Sequence, residues 1–164
     1  MPAGVSALTA LANITLASPA NSVTFSGIAG TYRDLRLVFS GGIGSDNATF
    51  TINNDTSSTY LWTTIEGNGS TTTSVWNGNS YGTFSNNYIL WYSSSGIIVN
   101  MDILDYSATD KHKTILTKGH NPARATNAIV QRWPSTAAIT SIRLNANTAN
   151  FTAGSTFALY GVSA

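Results

Sequence analysis

Residues 97–104 read Ile97-Ile98-Val99-Asn100-Met101-Asp102-Ile103-Leu104. Ile97, Val99, Met101 and Ile103 fall on every second position, with Asn100 and Asp102 between them. Period two over four to eight residues marks a strand with one buried face. Moving toward the N-terminus, Tyr60, Trp62 and Thr64 oppose Leu61, Thr63 and Ile65, and Phe50 and Ile52 alternate with Thr49 and Thr51. Leu35, Leu37 and Phe39 point away from Asp34, Arg36 and Val38, Val23 and Phe25 are flanked by Ser and Thr, and Ile14 and Leu16 alternate with Thr15 and Ala17. A dense apolar run at Tyr88–Tyr92 lies just before the quoted stretch, and Thr114–Thr117 follows it toward the C-terminus. Asn127–Trp133, Ile139–Leu144 and Thr156–Val162 complete the set. About ten short strands at roughly 8–15-residue spacing predict an all-β fold, an antiparallel β-sandwich that is jelly-roll-like with about 8–10 strands.

Composition points the same way. Ser, Thr, Asn and Gly make up 73 of 164 residues, while Glu occurs once, at Glu66, and Gln once, at Gln131. Strong helix formers are scarce, and strand and turn residues abound. Only 9% of residues are charged and the net charge is +1, so no basic patch for nucleic acid is expected. There is no Cys, which excludes disulfides, thiolate zinc sites and Cys nucleophiles. No uninterrupted run of 18 apolar residues exists, and no membrane partner is expected. Residues 1–21 carry no Lys or Arg, unlike a secretory leader, and are expected to belong to the mature chain. They divide the chain into an N-terminal attachment arm or first strand (1–21) and a sandwich domain (22–164). Leu8, Leu11 and Ile14 are the candidate docking residues of the arm. Asn68–Asn87 reads as the longest polar loop.

The chemistry of an active site is sparse. His112 and His120 bracket a short strand near Asp102, Asp105 and Asp110. A hydrolytic triad through His112, Asp105 and a Ser is conceivable, but a triad is defined by geometry and this spacing specifies none. Asp46-Asn47 and Asn53-Asn54-Asp55 put oxygen ligands in loops without the spacing of a known calcium loop; turn formation is their simpler role. Neither an enzyme nor a cofactor is expected. The aromatics remain. Trp91 and Trp133 lie in apolar strands and read as core, whereas Trp76, Tyr81 and Phe84 lie among Ser, Thr, Asn and Gly. With Tyr60 and Trp62, they are candidate contacts either for another chain or for a glycan.

Several blocks resemble small β-rich structural proteins of tailed bacteriophages. They are Ser22–Ile28, Gly30–Val38, Gly67-Asn68-Gly69, Asp105-Tyr106, Lys111–Thr114, Trp133 with Thr136–Ile142, and above all Asn150–Val162. The resemblance implies a non-enzymatic virion protein on the outer capsid surface or the tail. It would be a capsid decoration (cement) protein, a homotrimer bridging major capsid protein subunits. The alternative is a tail-fibre or baseplate receptor-binding module recognising a host-surface glycan. No catalytic residues come with the resemblance.

Overall fold

Alternation of apolar and polar side chains is a strand instruction, and the chain follows it almost throughout. The computed structural model describes residues 7–44, 47–57, 59–84, 96–122 and 125–163. Among the described residues it is all-β, with no helix and 60% of them in antiparallel strands. The strands are β1 (Leu8–Thr15), β2 (Ser22–Ser26), β3 (Asp34–Gly41), β4 (Thr49–Ile52), β5 (Tyr60–Gly67) and β6 (Thr72–Asn79). Then come β7 (Gly82–Thr83), β8 (Ile97–Leu104), β9 (Lys113–Asn121), β10 (Ala125–Trp133), β11 (Ser141–Asn145) and β12 (Thr156–Val162).

Eight strands form one sheet in the order β1-β12-β3-β8-β9-β10-β5-β6, and four form a second, β2-β11-β4-β7. The chain crosses between sheets at each step from β1 to β5, which gives the interleaved, jelly-roll-like connectivity. The quoted stretch is β8, near the middle of the large sheet, with Ile97, Val99, Met101 and Ile103 fully buried. They join Leu35, Leu37 and Phe39 of β3 and the inner residues of the small sheet in one core. Phe39 sits at its centre, with ring centroids 5.0 Å from Phe157 and 5.6 Å from Phe151.

Polar side chains fix how the layers meet. Gln131 of β10 clamps β7: its Nε2 donates to the Thr83 carbonyl and its Oε1 accepts from the Thr83 N–H, both at 2.8 Å. Lys113 is fully buried, and its ammonium donates to the carbonyls of Ala108, Lys111 and Thr136. Burial pushes its pKa down from the usual lysine value. Tyr32 lies over Gly161, where an added Cβ would come within 2.3 Å of the ring.

Two expectations need correction. The loop expected at Asn68–Asn87 contains β6 and β7, which raises the strand count to twelve among the described residues. The strand expected at Thr114–Thr117 runs from Lys113 to Asn121. Of the two alternatives for residues 1–21, Leu8, Leu11 and Ile14 lie on the first strand, at the sheet edge and paired with β12. The Tyr88–Tyr92 run, Trp91 and Asp46 lie outside the described residues.

Candidate functional site

The aromatic candidates separate by which way their strands turn them. Tyr60 and Trp62 face inward on β5 and are buried in their own chain, and Tyr60 is hydrogen-bonded through its hydroxyl to the Ile52 N–H at 3.0 Å. Phe84 is buried against Phe39, centroids 6.3 Å apart. All three are core residues of this chain because they fall on the inward register. Trp133 is core as expected, with Nε1 donating to Asp55 Oδ2 at 2.8 Å. Tyr81 remains exposed, and Trp76 is the most exposed large apolar side chain among the described residues, at 69%.

Trp76 does not stand alone. Residues opposite one another across a sheet share a face. Trp76 of β6 is opposite Thr63 of β5, and Thr63 is opposite Val130 of β10. Ile65 lies two residues from Thr63 on the same outer face. Ile65 is 56% and Val130 54% exposed. Three large apolar side chains thus surround Thr63 on the outside of the large sheet. Neither β6 nor the outer face of β5 carries a charge; Lys118 and Arg132 flank the patch from the β9 and β10 side.

The patch adjoins a sheet edge that is open among the described residues. β6 ends the large sheet, with β5 as its only strand partner among the described residues. It runs eight residues with no Lys, no Pro and no break in register. Exposed edges are ordinarily blunted by such devices, because unpaired N–H and C=O groups template pairing with another chain. The opposite edge, β1, has an irregular register between Ala10 and Ala12, which leaves Leu11 as a bulge. Beside β1 an apolar cleft of about 400 Å³ opens toward β2, lined by Leu11, Ile14, Phe25, Ile28, Tyr32 and Leu159 among others.

The catalytic candidates are not assembled. Asp105 pairs with Lys111 at 3.3 Å, and its N–H is bonded to Asp34. His112 and His120 are exposed, one just before β9 and one near its end, about 26 Å apart along an extended chain. Asp102 is held by Arg36 through two hydrogen bonds of 2.6 and 3.2 Å, and this pairing raises the arginine's pKa. Asn53 works as a turn residue: it has positive φ, and its Oδ1 accepts from the N–H groups of Thr140 and Ser141. No cluster of three or more His, Cys, Asp or Glu suited to a metal ion occurs among the described residues.

One buried feature escaped the sequence reading. Glu66 faces inward and is 6% exposed, and burial pushes its carboxyl above the ordinary glutamate range. An unpaired buried polar group costs about 1–3 kcal/mol, more when charged. The only sequence signal was register: Glu66 shares the parity of Tyr60, Trp62 and Thr64.

No protein-family model matches the chain, and no match is found among curated proteins.

Proposed function

We propose that this chain is a non-enzymatic virion structural protein that acts by assembly, most specifically a capsid decoration (cement) protein of a tailed bacteriophage. The observation that carries the assembly reading is the β6 edge, open among the described residues, beside the exposed Trp76–Ile65–Val130 patch. The phage assignment rests on the resemblance of the sequence blocks given above. Binding energy, not chemistry, is the mechanism: a rigid sandwich that contacts several major capsid protein subunits raises the cost of separating them.

A homotrimer needs head-to-tail contacts, because β6 against β6 is self-complementary and closes at two copies. The two open edges of the large sheet supply such a contact. β6 of one copy lies against β1 of the next, which covers Leu8, Leu11 and the neighbouring cleft. Three repeats close the ring, matched to a local symmetry axis of the shell.

The test is the protein's place and abundance in purified particles, by mass and by reconstruction. A decoration protein is present in copy numbers comparable to the capsid protein, on the outer surface. A few copies at the tail tip would overturn the decoration reading and favour the glycan-binding alternative. That rival has one observation in its favour, the exposed indole of Trp76 next to Asn77.

A further inference from the structure

The chain has two Asn-Gly pairs, Asn68-Gly69 in the turn between β5 and β6 and Asn77-Gly78 on β6. Glycine after asparagine leaves its amide nitrogen unshielded, because there is no side chain to cover it. Such a nitrogen can attack the asparagine carboxamide. Sequence alone makes the two pairs equal; the fold separates them. Asn68 Oδ1 accepts from the Ser70 N–H at 2.9 Å, the Thr71 N–H at 2.8 Å and the Thr71 hydroxyl at 3.1 Å. Three donors hold this side chain over the turn, and none of them is Gly69. Asn77 Oδ1 accepts from the Gly78 N–H itself, at 2.7 Å. The glycine nitrogen thus stands beside the carboxamide carbon, which is one bond beyond that oxygen. Asn79 Oδ1 has the same relation to the Ser80 N–H, at 2.8 Å, but there a side chain crowds the nitrogen.

Place in the fold adds access. Asn77 is exposed, and β6 has β5 as its only strand neighbour among the described residues. A strand held on one side, with both faces exposed, opens locally at low cost. Alternate residues of an antiparallel edge strand turn their N–H groups away from the partner strand. Gly78 and Ser80, whose N–H groups bond to the preceding side chains, are two of these. The Gly78 nitrogen therefore gives up no ladder hydrogen bond when it attacks.

We propose that Asn77-Gly78 is a self-modifying site, at which the chain deamidates through a succinimide. Hydroxide takes the Gly78 amide proton, and the nitrogen forms a bond to Asn77 Cγ. The Cγ–Nδ2 bond breaks, and Nδ2 leaves as ammonia with a proton from water. Water then opens the five-membered ring. Attack at Cγ gives aspartate; attack at the main-chain carbonyl carbon gives isoaspartate. One water is consumed and one ammonia released, and no other reactant is needed. β6 carries no charge, so either product places a carboxylate beside Trp76. Isoaspartate also lengthens the backbone by one atom within the Asn77–Trp62 and Gly78–Leu61 register. Added charge and a broken register are devices that close an edge to a further strand. That consequence rests on the assembly reading; the modification itself does not.

The experiment holds the full native chain at mildly alkaline pH and physiological temperature for days, then digests it and weighs the peptides. Asn77 should convert first, at roughly ten times the rate of Asn68 or more, and yield both aspartate and isoaspartate. Asn79 should convert more slowly than Asn77. In urea, where no fold positions either carboxamide, Asn68 and Asn77 should convert alike. Asn77→Gln should remove the fast conversion, because its longer side chain must close a larger ring. The same incubation of Leu11→Lys leaves β6 uncovered even if native copies pair, and Asn77 should convert there too. Asn68 converting as fast as Asn77 in the folded chain overturns the proposal. So does an Asn77 that stays unmodified in both folded proteins while it converts in urea.

Discussion

The chain's only glutamine and only glutamate both point into the sandwich, where each decides something. Gln131 uses its carboxamide to hold both backbone polar groups of Thr83. Gln131→Ala strands those groups and leaves a void, and should cost about 3 kcal/mol, read as a lowered denaturant midpoint at unchanged m-value. Glu66 acts in the opposite sense. Its folded pKa lies above the ordinary value of 4.5, so the folded state holds this proton more tightly than the unfolded chain. The contribution of Glu66 to stability is therefore full below that ordinary value and is lost as pH rises through the folded pKa. Glu66→Gln should flatten this part of the pH profile and stabilise the protein at neutral pH, as thermal midpoints measured across pH 4–8 would show. At Gly161 the constraint is space: Gly161→Ala drives a methyl into the Tyr32 ring and should cost about 1–3 kcal/mol.

At the scale of elements, the sequence leaves β1 open between arm and strand and hides β6 altogether. β1 pairs with β12 from Leu8 to Thr15, so deleting residues 1–12 removes most of a paired strand. The thermal midpoint should fall by about 5 °C or more; an unchanged midpoint would mean that this segment is an arm after all. Strands buried on one face were legible from alternation alone, as β3, β8 and β10 show. β6 was not, because Thr72–Asn79 lies at an edge with both faces exposed, and no burial imposes a period on it. β5 was legible as a strand but ambiguous in face. Leu61, Thr63 and Ile65 are about as apolar as Tyr60, Trp62 and Thr64, and only the packing against β7 and β10 turns Ile65 outward and Glu66 inward. That ambiguity hid the burial of Glu66. It also put Tyr60 and Trp62 among the contact candidates.

At the scale of the whole molecule, assembly rests on one sheet whose two edges, open among the described residues, differ in character. β6 is regular, uncharged and flanked by Trp76; β1 is bulged at Leu11 and borders an apolar cleft. A head-to-tail ring uses both edges of every copy, and this separates it from a two-fold dimer by a simple complementation. Trp76→Lys spoils the β6 side and leaves β1 intact; Leu11→Lys does the reverse. Sedimentation velocity at micromolar concentration is the most direct measurement. The account predicts three times 17.3 kDa for the native chain, monomers for each variant alone, and a dimer when the two variants are mixed. A native chain that sediments as a 17.3 kDa monomer, or variants that stay monomeric when mixed, would contradict it.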